Sequence, residues 1–144
     1  MAVSRHDLGE HLYSVFYEYN CLLRELSSEA GLYCGQPRIL AAIKDNEGCT
    51  LSELSELIGI GMPSLSVSIK NMKKSGLIKS ERYQTPAKGI FLTDDGLTKI
   101  LGYQRLIDKA HEGLLDKLGS EHAEEAGASL KLICDYLESY RKKK

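Results

Sequence analysis

From Leu8 the apolar positions Leu8, Leu12, Val15, Tyr19, Leu22 and Leu26 advance by steps of 4, 3, 4, 3 and 4, a 3.5-residue repeat held for about three heptads. That pattern predicts a long first helix ending near Gly31, with Phe16 and Leu23 widening its apolar stripe beyond a single seam. "GLYCGQPRILAAIKDNEG" reads as a connector and then a helix entered near Pro37, whose buried face is Ile39, Leu40 and Ile43. Thr50, with Glu53 three positions later, forms a capping box for a helix in which Leu51, Leu54, Leu57 and Ile58 are expected to pack inward. Gly59-Ile60-Gly61 is a three-residue turn, and a helix starting around Met62 and Pro63 follows it with Leu65, Ile69 and Met72 inward and Gly76 as its stop. The β-prone runs "LIKSERY" and "GIFL", linked by "QTPAK", predict a hairpin. Thr93 and the two aspartates after it open another helix carrying Leu97, Ile100, Tyr103, Ile107, Ala110, Leu114 and Leu118. A last helix opens at Ser120, its apolar face Leu130, Ile133, Leu137 and Tyr140.

The expected fold is therefore mainly α with a small β-hairpin wing: a winged helix-turn-helix flanked by long N- and C-terminal helices. The 144 residues suit one continuous domain, in which 1–31 and 97–144 are expected to form a helical dimerisation region and 32–96 the winged helix-turn-helix. The long helices carry more apolar stripe than so small a module needs, which predicts a homodimer; a monomer whose long helices pack only on each other is the alternative.

Charge changes the picture of the middle segment. The whole chain is nearly neutral, with 19 Lys and Arg against 20 Asp and Glu. Residues 62–92, however, carry Lys70, Lys73, Lys74, Lys79, Arg82 and Lys88 against Glu81 alone, a local excess that phosphate binding requires. With Leu65, Ile69 and Met72 turned inward, helical spacing turns Ser64, Val67, Ser68, Lys70 and Asn71 partly or wholly outward. Small hydroxyl residues near a helix start allow close approach to phosphates and base edges, and a valine can meet a thymine methyl. Ser64, Ser66, Val67 and Ser68 are the candidates for base-edge or close backbone contact, and Asn71 is a further DNA-binding candidate on the same face. Lys70, Lys73, Lys74 and Lys88 are the candidates for phosphate contact, and Arg82 is a further DNA-binding candidate on the hairpin. A solvated surface helix is the competing reading of the same face.

Here the sequence resembles the MarR-type (multiple antibiotic resistance) winged-helix transcriptional regulators. The similarity is carried by "GLYCGQPRIL", by "TLSELSELIGIGMPSLSVSIKNMKKSGLI" and by "FLTDDG", and it extends in element order over nearly the whole chain. The resemblance implies a homodimer joined through its terminal helices, acting on double-stranded DNA at a pseudopalindromic operator, usually as a repressor. It also implies release by a small aromatic ligand or an oxidant. Tyr13 and Tyr17 are the ligand candidates and Cys21, close to them on the first helix, the redox candidate; core packing is the competing role for all three. The family's wing typically carries an Asp-x-Arg element, which "SERYQTPAKGIF" lacks. Lys88 at the tip and Arg82 at the base are the expected substitutes, though lysine reads a narrow minor groove less well than arginine.

Other classes are disfavoured. No GxSxG, phosphate-cradling glycine loop, HExxH or nucleophile with a placed base occurs, so an enzyme is not expected, nor is a cofactor. His6, His11, His111 and His122 lack ligand spacing, so no metal site is expected. Cys21, Cys34, Cys49 and Cys134 form no CxxC pair and read as reduced thiols, Cys134 as a small buried hydrophobe; Cys34 and Cys49 fall in connectors, where access and redox chemistry are more plausible than elsewhere but remain the minority reading. "MAVSRHDLGEHL" is no signal segment and nothing reads as a membrane span, which makes the cytoplasm the expected compartment. The remaining rival is a winged-helix protein-interaction module without sequence-specific DNA binding.

Overall fold

The structure, a computed structural model, describes residues 2–82 and 87–144. Its elements follow in the order α1 (Arg5–Glu29), α2 (Gln36–Asp45), α3 (Leu51–Ile58), α4 (Met62–Lys74), β1 (Ile78–Arg82), β2 (Lys88–Leu92) and α5 (Asp94–Lys142). Residues 1–106 and 107–144 form two compact units. No helix among the described residues is long and apolar enough to cross a membrane.

Local chemistry sets most of the boundaries. Ser4 accepts the Asp7 amide at 3.1 Å and caps α1, and Thr50 Oγ1 accepts the Glu53 amide at 3.2 Å and caps α3. Helix α4 ends in a Schellman arrangement: the Leu77 amide donates to the Met72 carbonyl and the Gly76 amide to Lys73, with Gly76 at φ 75°. Thr93 caps α5 through the Gly96 amide and donates its own hydroxyl back to the Gly76 carbonyl, tying the start of α5 to the end of α4. Inside α5, Gly119 breaks the helical path at φ 78°, ψ 161°, a region essentially reserved to glycine. The break falls one residue before Ser120, where sequence places the start of a last helix.

The core belongs to the first unit. Ile39, Leu40 and Ile43 of α2, Leu54 and Ile58 of α3, Leu65, Ile69 and Met72 of α4, Ile78, Ile90 and Leu92 of the hairpin, and Ile100 of α5 are all buried in one cluster. Strands β1 and β2 pair antiparallel from Ile78↔Leu92 to Arg82↔Lys88. Cys49 adds an isolated bridge to Ile90, its carbonyl receiving the Ile90 amide at 2.8 Å. Glu47 Oε2 accepts the Leu92 amide at 3.2 Å, so the α2–α3 connector grips the wing from one side. Two glycines allow that closeness: a Cβ on Gly89 would lie 2.7 Å from the Gly48 carbonyl oxygen, and one on Gly96 only 2.0 Å from that of Leu77.

Expectations for Leu57, Cys49, Cys134 and Arg82 need correcting. Leu57 is 55% exposed, because the short α3 offers the core only the Leu54 and Ile58 side. Cys49 is buried, drawn in by its bridge to β2, and Cys134 is exposed within its own chain. Arg82 is not at the base of the wing: it pairs directly opposite Lys88, and the base is the Ile78↔Leu92 pair. The first three residues of the turn predicted over "QTPAK", 84–86, lie outside the described residues.

Candidate nucleic-acid interface

Helix α4 begins with Pro63 in its first turn and with Gly61 as a cap that offers no side-chain hydrogen bond. Its angle to α3 is held by two polar clamps at the turn. Arg38 of α2 donates to the Ile58 carbonyl at 2.6 Å, and Ser55 Oγ donates to the Ile60 carbonyl at 2.6 Å. Gly59 takes the left-handed conformation at φ 68°, while Ile60 packs against the core as the plug of the corner. Gly61 is extended, so only the first glycine of the turn uses its conformational freedom.

With Leu65, Ile69 and Met72 buried, the rest of α4 faces solvent. Ser64, Ser66, Val67, Lys70, Asn71, Lys73 and Lys74 are exposed, and Ser68 is half-buried. The helix contains no Asp or Glu. Lys73 and Lys74 occupy its last turn, where the helix dipole favours cations. Arg82 and Lys88 are exposed at the far end of the hairpin. Glu81, the one carboxylate of the segment, is engaged by Lys79 at 3.3 Å. Among the described residues no ion pair occupies Lys70, Lys73, Lys74, Arg82 or Lys88, so their charge is available to an outside anion.

An open groove of about 540 Å³ runs between α4, the start of α3 and the wing. Ser66, Lys70 and Lys73 line it from α4, Lys88 and Ser80 from the hairpin, and Thr50 and Ser52 from α3. A second groove, of about 530 Å³, flanks the other side of α4, where Ser68, Asn71 and Lys74 face Tyr33, Cys34 and Gln36. The structure thus brings the predicted α4 residues and Lys88 around one helix that stands proud between two depressions. Sequence reasoning missed Thr50, Ser52 and Ser80 as groove hydroxyls and Arg38 as the clamp of the turn. Ser52, two residues after the recognisable cap Thr50, was within reach; Arg38 acts over 20 residues and carried no local signal.

The candidates on α1 lie apart from this face. Tyr13 lines a surface depression of about 290 Å³ with Arg5, His6, Gly9 and Glu10, Tyr17 is exposed, and Cys21 is half-buried.

Comparison with known proteins follows the same division. Residues 35–87, from the start of α2 to the wing, match the sequence model of the MarR family. No curated protein sequence matches the chain. Among solved structures, the Staphylococcus aureus MepR–DNA complex is similar at 18% identity and a TM-score of 0.74, over 93% of this chain and 96% of that one. Staphylococcus aureus MarR in complex with salicylate and kanamycin is similar at 20% identity and 0.78, over 93% and 92%. Wild-type Escherichia coli MarR in its apo form is similar at 18% and 0.71, over 92% and 98%. At such identities the structural likeness is one of fold, and the sequence likeness to the family is confined to the winged-helix segment. The chain thus has a winged-helix fold shared over nearly its whole length with these structures, and its residues 35–87 match the MarR family in sequence.

Proposed function

We propose that the chain is a DNA-binding transcriptional regulator, a homodimeric repressor that lays α4 in the major groove of a pseudopalindromic operator and its wing along the neighbouring backbone. The observation that carries this reading is the outward face of α4: exposed, without a carboxylate, and flanked by lysines that no described ion pair engages. The DNA complex of MepR, which shares the fold, supports it. Residues 32–96 serve DNA in this reading, and 1–31 with 97–144 serve the dimer. Exposed apolar side chains on α1 (Val15, Phe16, Tyr19) and late α5 (Leu130, Leu137, Tyr140) support the second assignment, since surface of that kind in a folded chain marks an interface. A two-fold dimer would present its two α4 helices about one DNA turn apart, roughly 34 Å.

Regulation by a small aromatic compound or an oxidant is the finer part of the proposal. The salicylate complex of Staphylococcus aureus MarR supports the first, with Tyr13 and Tyr17 as the residues to test. Cys21 is the residue to test for the second. DNA binding unchanged by peroxide, and unchanged in Cys21→Ser, removes the oxidant from the account.

Retardation of duplex DNA from the chain's own upstream region, measured against salt, tests the central claim. Affinity is expected to fall steeply with ionic strength, and Lys70→Ala or Lys88→Ala to reduce the slope of log K against log salt by about one unit each. If no duplex is retarded at low salt, the protein-interaction reading replaces this one. Sizing and crosslinking test the dimer.

A further inference from the structure

Val67 stands at the centre of the α4 outward face and is 61% exposed. At 3.6 residues per turn it points almost diametrically away from the buried stripe of Leu65, Ile69 and Met72. It belongs to neither flanking groove. Ser66 and Lys70 turn into the one beside the wing and Ser68 and Asn71 into the one beside α2, so Val67 forms the ridge between them. Nothing among the described residues accounts for an apolar, β-branched residue there. It adds nothing to the core, and valine is a weaker helix former than the alanine, lysine or glutamate that an idle solvent position would favour.

We infer that Val67 reads the C5-methyl group of a thymine in the major groove. This rests on the DNA-binding function proposed above and adds to it a base identity. Thymine alone presents a methyl group on the major-groove edge, and it is the natural partner for a small apolar side chain that would otherwise face water. The neighbours of Val67 leave it that role. Helix α4 contains no arginine, so the bidentate arginine contact to guanine is not available from this helix, and serine hydroxyls are indifferent between donors and acceptors. Lysines placed around the ridge attract phosphates whatever the sequence. Lys70 and Asn71 can reach purine edges, whereas Val67 is the side chain at the centre of this face suited to the thymine methyl itself.

The experiment isolates the methyl group. Duplexes retained by the wild-type chain are selected from a random-sequence pool, and in the enriched duplex each thymine is replaced in turn by uracil, which keeps every hydrogen-bonding group and removes only the methyl. One position per half-site is expected to lose roughly fourfold in affinity, the burial of a single methyl group, and about fifteenfold when both half-sites are changed. Val67→Ser should bind the thymine duplex with the loss seen for wild type on the uracil duplex, and should itself be indifferent to the exchange. Wild-type binding unaffected by uracil at every position overturns the inference and leaves DNA binding standing. A loss that persists unchanged in Val67→Ser also overturns it. Failure to enrich any duplex overturns both readings. The uracil series uses the unmodified chain, so its result does not depend on how the variant folds.

Discussion

Apolar side chains between Leu32 and Ile100 and those between Ile107 and Lys144 meet opposite fates. In the first stretch fifteen of the described hydrophobic residues are buried in one cluster. In the second no residue is buried, and Leu114, Leu115, Leu130, Leu132 and Leu137 lie open. Both stretches show helical periodicity of similar quality in sequence. The difference teaches that periodicity announces a face to be covered without naming what covers it. Short elements that turn back after every eight to thirteen residues can enclose a volume within one chain. A long helix with a 3.5-residue stripe needs a partner of like length, and the proposed dimer would supply one.

Truncation at matched leucines should separate the two regions most sharply. Leu54→Ala, at a fully buried site, is expected to cost about 2–5 kcal/mol in denaturant unfolding whatever the protein concentration. Leu130→Ala, at a site 54% exposed in its own chain, should instead shift the melting temperature only in the concentration range where two copies associate. Equal, concentration-independent losses at both would erase the distinction. Next in size, Gly96→Ala places a methyl against the Leu77 carbonyl and should cost about 1–3 kcal/mol by thermal unfolding, whereas Gly102→Ala and Gly127→Ala, which meet nothing within 4 Å, should not destabilise. A smaller effect, about 1 kcal/mol, is expected for Thr50→Ala, which removes the cap of α3.

The smallest effect concerns the thiols. Burial pushes the Cys49 thiol above its ordinary pKa, and the carboxylates of Glu53 and Glu47 add to the shift against an opposing backbone hydrogen bond. At neutral pH Cys49 therefore stays protonated in the folded and unfolded chain alike, and its titration contributes nothing to stability there. Because the folded chain holds this proton more tightly, stability should decline only as pH rises above the ordinary thiol range. Alkylation followed by mass spectrometry at neutral pH should label exposed Cys34 well before Cys49. Rapid labelling of Cys49 would mean that the α2–α3 connector does not hold the wing as described.

Signals that act within three or four residues were legible in the chain itself. The caps at Thr50 and Thr93, the stop at Gly76, the break beside Ser120 and the inward trio of Leu65, Ile69 and Met72 all stand where their spacing placed them. So does the outward disposition of the α4 candidates, because a helix with one face buried leaves no choice about the other.

Contacts between distant residues were decided by the tertiary structure. Leu57 lies open although it continues an apolar run, and Cys49 is buried although it sits in a connector. Arg38 reaches the Ile58 carbonyl, Glu47 holds the Leu92 amide across 45 positions, and Arg82 faces Lys88 instead of lying at the base of the wing. Local patterns record the preferences of one turn of backbone. Which element closes over which face depends on how the turns between them direct the chain, and that information is spread over too many residues for any short pattern to hold.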